Sequence, residues 1–145
     1  MELHSHIALR RAARFVPRER ADAQHLNLEI RLMADNPIMT AVLNAAGSDM
    51  FILNRHLQIV AANSRILNRS RSRTTASMLG RRIGELLDCQ NAGADEGCGG
   101  GPSCSFCGVL NTLLESRAGD GHASSECQRM LPKLSADTWR PVLPN

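Results

Sequence analysis

Cys89, Cys98, Cys104 and Cys107, four of the five cysteines in the chain, lie close together around a run of glycines, and Cys127 follows them. The centre of the cluster reads Gly97-Cys98-Gly99-Gly100-Gly101-Pro102-Ser103-Cys104-Ser105-Phe106-Cys107-Gly108. Thiolates are soft ligands, and the two-residue gap between Cys104 and Cys107, just ahead of a helix, presents both sulfurs to one point. Glycine lets the backbone turn tightly, so Cys98 can fold over the same point through Gly99, Gly100 and Gly101. Cys89 and Cys127 must arrive from other parts of the fold. Four thiolates suffice for tetrahedral zinc or for an iron–sulfur cluster. The spacing is that of neither a common zinc finger nor a bacterial ferredoxin, so both remain open for the donor set Cys89, Cys98, Cys104, Cys107 and Cys127.

Two further readings of the same residues stand beside metal binding. Cys104 or Cys107 sits at the start of a helix, whose positive end favours the thiolate, and a pair so close can form a disulfide on oxidation. A thioredoxin-type enzyme would use that chemistry, but the βαβ context it needs does not precede the pair. The third reading is packing alone, since buried cysteine behaves as a small apolar residue. Packing accounts for one or two cysteines and does not explain five around a glycine-rich loop.

The remaining reactive residues carry less. His4 and His6 lie near the chain start, and His25, His56 and His122 show no ligand spacing. His56 falls in a predicted hairpin turn and reads as solvated; His122 is near enough to Cys127 to serve as an additional ligand. Glu85 and Asp88 flank Cys89 and read as surface charges, as does Asp95-Glu96 in the cysteine loop. Gly99-Gly100-Gly101 lacks the Gly-Lys-Ser/Thr and the preceding strand of a phosphate loop. No Ser-His-Asp arrangement or paired carboxylate has a recognisable context.

At 145 residues the chain is one domain with room for a modest core, and its apolar fraction of 43% is ordinary. Aromatic residues make up only 3%, so stacking platforms for bases are nearly absent, which argues against single-strand nucleic-acid binding, and no nucleic-acid partner is expected. The net charge of +3 is mild. Arg65, Arg69, Arg71, Arg73, Arg81 and Arg82 cluster and read as a solvated surface, with docking of an acidic partner as the sharper alternative. No stretch has the apolar length of a membrane span, and residues 1–20 lack the pattern of a secretory signal. A cytoplasmic location is the expectation, and in a reducing compartment clustered cysteines point to metal or redox chemistry.

Several elements position the cluster. Residues 1–18 read as disordered or frayed. Leu26, Ile30 and Met33 recur with helical spacing over 19–34, and Asp35-Asn36-Pro37 ends that helix. A second helix starts at Pro37, carries Met39, Val42 and Leu43, and ends near Gly47; the two form an amphipathic element over 19–46 suited to packing on a sheet or pairing in a dimer. Strands are predicted at 50–53 and 57–61 as a hairpin, followed by Asn63 capping a helix from Ser64. A helical turn over 79–87 delivers Cys89, the cysteine loop covers 89–108, a helix runs over 109–116, and a strand over 123–131 carries Cys127. The tail 132–145 is irregular.

This order resembles a PAS domain. The stretch MFILNRHLQIVAANSRIL looks like the PAS opening, and LGRRIGELLDC like the segment before the central helix. The cysteine pattern is similar to that of a subgroup of bacterial PAS-containing sensor histidine kinases with a Gly-Cys-Gly…Cys-x-x-Cys-Gly insert and a later Glu-Cys strand. Matching positions are Cys89, Gly97, Cys98, Gly99, Cys104, Cys107, Gly108, Val109, Glu126 and Cys127, and the likeness covers about residues 20–131. The chain has Gly108-Val109-Leu110 where the subgroup has Gly-Ala-Val, and only Thr138-Trp139-Arg140 and a proline-rich tail stand where a last hairpin belongs. The resemblance implies an α+β fold: a PAS-like antiparallel sheet over 47–131 with flanking short helices, an N-terminal helical extension and a sheet short of its final strands. It further implies a sensory module of a two-component-type system that senses redox or a ligand through a cysteine-bound iron–sulfur cluster or zinc. Such a module is not an enzyme and carries no kinase domain. Its partners would be a second copy, a histidine kinase or another signalling domain. A small zinc-stabilised interaction domain and a metal-free thiol switch are the alternatives.

Overall fold

The structure, a computed structural model, describes residues 19–68, 70, 72–93, 97–119, 121 and 123–124. The segment 1–18, Arg69, Arg71, Asp95-Glu96, His122, all but the first two residues of the strand predicted at 123–131, and the tail lie outside the described residues. Cys127 is among them.

Helix α1 (Ala23–Ala34) begins at Asp22, whose Oδ1 accepts the His25 N–H at 2.9 Å, satisfying a donor that the first helical turn leaves over. The helix expected from Glu19 therefore starts four residues later. Residues 19–21 instead bond across the fold: the Ala21 N–H donates to Gln58 Oε1 at 2.8 Å and the Glu19 carbonyl accepts from His56 Nδ1 at 2.9 Å. Helix α2 (Pro37–Ala45) follows at once. Asn36 caps it by accepting from the N–H groups of Ile38 and Met39, with proline in the first turn, where its missing N–H costs nothing.

Strands β1 (Phe51–Leu53) and β2 (Ile59–Ala62) pair antiparallel, Phe51 opposite Ala62 and Leu53 opposite Ile59, with an irregularity between Ile52 and Leu53. The turn is organised by Asn54, whose Oδ1 accepts from both the His56 and Gln58 N–H groups. Residues 80–82 add a short third arm on β2, where Ile59 N–H donates to the Arg81 carbonyl and Gly80 N–H to the Ile59 carbonyl, both at 2.8 Å. The described residues thus form a mixed helix-and-strand fold with a two-stranded antiparallel sheet.

Asn63 departs from its expected role. It is buried, its Oδ1 accepts from Met50 N–H, and its Nδ2 donates to the carbonyls of Leu43 and Ser48. It fastens the connection from α2 to β1 rather than capping the Ser64–Asn68 segment, which is a 3-10 helix. A 3-10 turn (Ala76–Met78) leads to the short helix α3 (Ile83–Leu86), and helix α4 (Gly108–Ala118) closes the described part.

Two apolar clusters hold these elements. Ile59, Ile66, Met78 and Leu86 pack with Phe51 and Leu53, joining the sheet to α3. Leu57, Cys104, Leu110 and Leu114 form the second cluster, joining the hairpin turn to α4. Helix α1 lies on β2 with Leu26, Ile30 and Met33 half-buried, as their spacing predicts. Its Leu28 and Leu32, like Ile38 and Val42 on α2, remain exposed. Among the described residues no helix is long and apolar enough to cross a membrane.

Candidate functional site

Three local devices bring four cysteines to one place. The first ends α3. Asp88 takes a left-handed φ of 53° and the Cys89 N–H bonds to the Gly84 carbonyl at 2.8 Å, a closure that swings Cys89 back toward the start of the helix. The second is the loop at Gly97 and Gly99, whose φ values of 67° and 91° lie where side chains are disfavoured; between them Cys98 turns inward. The third is a 3-10 turn (Pro102–Phe106) running straight into α4, with Cys104 buried inside it and Cys107 at the N-cap position of α4.

Cys89, Cys98, Cys104 and Cys107 all line one cavity of about 240 Å³, and all four are thiols rather than disulfides. The rest of its wall is largely apolar, including Leu57, Ile83, Leu87, Leu110 and Leu113.

Gly84 is the closest neighbour of this thiol group. A Cβ at that position would stand 2.6 Å from Cys98 Sγ, 3.2 Å from Cys98 Cβ and 3.5 Å from Cys89 Cβ. The missing side chain lets the backbone touch the sulfur. Burial pushes the Cys98 thiol up from its ordinary value; a hydrogen bond with the Gly84 backbone pulls it down, and Cys104, Glu85 and Cys107 push it up again. Cys98 is therefore held with its proton, and any metal it binds must displace that proton.

The soft donors fit zinc and iron–sulfur chemistry alike, with thiols on the cavity wall and no carboxylate or imidazole. Among the described residues, however, no three His, Cys, Asp or Glu side chains converge closely enough to hold one metal ion. His25 and His56 do not line the cavity, and neither do Glu85 and Asp88. His56, expected to be solvated, is half-buried and bonded to Glu19; with Arg55 Nε donating to its Nε2, the proton sits on Nδ1.

Arg82 also departs from expectation. Read from sequence as part of a solvated cluster, it is only 2% exposed. Its Nη1 donates to the Cys98 carbonyl at 2.8 Å and its Nε to the His56 carbonyl at 3.1 Å, so one buried guanidinium ties the cysteine loop to the hairpin turn. Burial, then repulsion from Arg20, weakens its hold on its proton, while Glu85 and Cys98 act in the opposite sense. Glu85 accepts the Arg82 N–H on Oε2 at 3.0 Å and pairs with Arg20 through Oε1. Burial pushes the Glu85 carboxyl up, but the Arg20 hydrogen bond, the Arg82 N–H and both cationic charges outweigh it and hold the carboxyl below its usual range. Gly97, next to Cys98, lies against this pair, its Cβ position 3.4 Å from Glu85 Oε1 and 3.5 Å from Arg20 Nη2. A continuous set of bonds thus runs from the cysteine loop to the start of α1.

Protein-family models, curated proteins and solved structures were compared with this chain, and none matches it. The site rests on its own geometry.

Sequence reasoning missed Arg82, Gly84, Glu85, Arg20 and Gln58 as site-supporting residues. One signal was present: a glutamate three residues after the residue preceding an apolar helical run marks a carboxylate that reaches back to the first backbone N–H. Arg82 and Glu85 have that spacing. The buried Gln58 gave none; it bridges the Ala21 N–H and the Gly80 carbonyl across long sequence separations.

Proposed function

We propose that this chain is a PAS-like sensory module of a bacterial two-component-type system, and that its cysteine loop binds a thiolate-held metal or iron–sulfur centre whose state is passed to the N-terminal helices. The observation that carries this reading is the convergence of two features on the Cys98 loop. Its thiol shares one cavity with those of Cys89, Cys104 and Cys107, and its backbone bonds through Arg82 and packs on the Glu85–Arg20 pair. Loss or oxidation of a centre there shifts the loop, and with it the bonds that hold residues 19–21 against the hairpin.

Cys89, Cys98, Cys104 and Cys107 would hold the centre, with Cys127 as a further candidate. The centre would supply a redox- or metal-responsive state; the chain's own residues orient the thiols and shield them from water. The module acts by conformation rather than catalysis, in the cytoplasm, on a second copy of itself or on a histidine kinase or other signalling domain. The exposed Leu28, Leu32, Ile38 and Val42 on α1 and α2 offer apolar side chains for such docking.

Hydrogen exchange tests the coupling. On loading the cysteine site, amides of 19–34 are expected to exchange about tenfold more slowly, a coupling of about 1.4 kcal/mol. In Glu85→Gln the site still loads and that difference disappears. Equal exchange in the loaded and stripped wild-type protein would end the sensor reading.

A further inference from the structure

The cysteine cavity is partly open to solvent, and most of its wall is apolar, with Leu57, Leu87, Val109, Leu110 and Leu113 among the residues that make it. Four thiols stand around it, and among the described residues no three ligating side chains converge. The charged side chain on the wall, Arg82, is only 2% exposed and directs Nε and Nη1 to the carbonyls of His56 and Cys98. A charged ligand entering here would give up its hydration for few polar contacts, whereas an uncharged apolar one gains by leaving water. The hollow of about 240 Å³ exceeds the roughly 150 Å³ that holds benzene, so it has room for one ring with a short side chain.

The four thiols differ in access. Cys104 is buried, and burial holds Cys98 with its proton. Cys89 and Cys107 are half-buried. Cys89 leads only into a four-residue 3-10 turn (Gln90–Gly93), whereas Cys107 is the N-cap residue of the eleven-residue α4, whose aligned backbone dipoles favour the thiolate. Phe106, beside it, lines the cavity and yet is 80% exposed, which puts an apolar ring at the mouth.

We infer that the cavity is a binding site for a small, uncharged electrophile with an apolar body, of the α,β-unsaturated ketone class, and that Cys107 adds to it. This goes beyond the metal centre proposed above and does not depend on it; the reaction belongs to the chain whose thiols carry no metal. The Cys107 thiol gives its proton to water, and the thiolate sulfur attacks the β-carbon of the ketone. A C–S bond forms as the C=C π bond breaks, the electron pair passes to the carbonyl as an enolate, and the α-carbon takes a proton from water. The product is a thioether, with no external oxidant or reductant and no leaving group. The apolar wall holds the β-carbon near the sulfur, and holding two reactants together is what accelerates the step.

The test uses the full chain, stripped of metal anaerobically and then freed of reductant, with benzylideneacetone as the probe. The comparisons are the same ketone carrying a para-carboxylate, and glutathione in place of the protein. Mass spectrometry of the intact chain and of its peptides gives the rate and the residue. The expected result is one adduct, at Cys107, formed at least about tenfold faster than the glutathione adduct, with the carboxylate analogue losing that advantage. Benzylacetone, the saturated ketone, which fills the cavity without reacting, is expected to slow the addition. Leu113→Phe, which narrows the cavity without removing a thiol, is expected to bring the rate down toward that of glutathione while circular dichroism shows the fold retained. Should that variant misfold, competition by benzylacetone in the wild-type chain decides the same point. Equal rates for protein and glutathione, a carboxylate analogue that reacts as fast, no competition by benzylacetone, or an accelerated adduct at another cysteine would each overturn the proposal and leave the metal centre to its own tests.

Discussion

Gly84→Ala is expected to remove Cys98 from the thiol site while the chain stays folded. The new methyl would stand 2.6 Å from Cys98 Sγ, so the sulfur must rotate away, and 3.2 Å from Cys98 Cβ, so the loop must also give by a few tenths of an ångström. Rotation about one bond with a slight shift of the loop is a small adjustment. The stability cost is expected to stay below about 1.5 kcal/mol, within the range of small overpacking and partly offset because alanine is a better helix residue than glycine by about 1 kcal/mol. Metal affinity is a different matter, because one of the four proposed ligands is displaced. A loss of at least about tenfold is expected, as when the groups that orient metal ligands are removed. Thermal melts and anaerobic metal titrations on the same variant separate the two effects. Wild-type affinity in Gly84→Ala would show that Cys98 is not a ligand.

Arg82→Met is expected to have the opposite character, a large loss of stability. Methionine fills much of the same volume but leaves the carbonyls of Cys98 and His56 without their donor. Hydrogen bonds from a charged group contribute about 1.5–3 kcal/mol each, so a loss of about 3–5 kcal/mol is expected. Arg82→Lys, with one compact ammonium in place of a planar fork, should reach one carbonyl and fall between. Denaturant unfolding of the three proteins gives the ranking directly. A loss below about 1 kcal/mol in Arg82→Met would mean that the cysteine loop is held by something other than this guanidinium.

What the sequence disclosed and what it concealed divide along a physical line. Helices α1 and α2 and the hairpin were legible because periodic apolar spacing, Asn36-Pro37 and paired apolar runs are local signals. Cysteine type and glycine spacing singled out Cys89, Cys98, Cys104 and Cys107, which line one pocket, though no three ligating side chains among the described residues converge on one ion. The support of the site was not legible. Arg82 looked like one of several surface arginines, since nothing in its neighbours tells that a carbonyl from Cys98 and another from His56 will meet it. Asn63 looked like a helix cap because its local context fits one; the backbone groups of Leu43, Ser48 and Met50 that compete for its side chain come from residues far earlier in the chain. The late start of α1 has the same origin, since Gln58, His56 and Glu85 hold residues 19–21 from elsewhere in the fold. Long-range polar bonds leave no periodic trace, and they are what joins this site to the helices.

The central claim is that these cysteines hold a metal centre. The most direct test is anaerobic purification followed by an absorption spectrum with iron, zinc and sulfide analysis on one sample. The account expects a coloured protein whose thiolate-to-iron absorption bleaches in air and is absent in Cys104→Ser. A folded, colourless protein without bound metal, its Cys89, Cys98, Cys104 and Cys107 all open to alkylation, would contradict it.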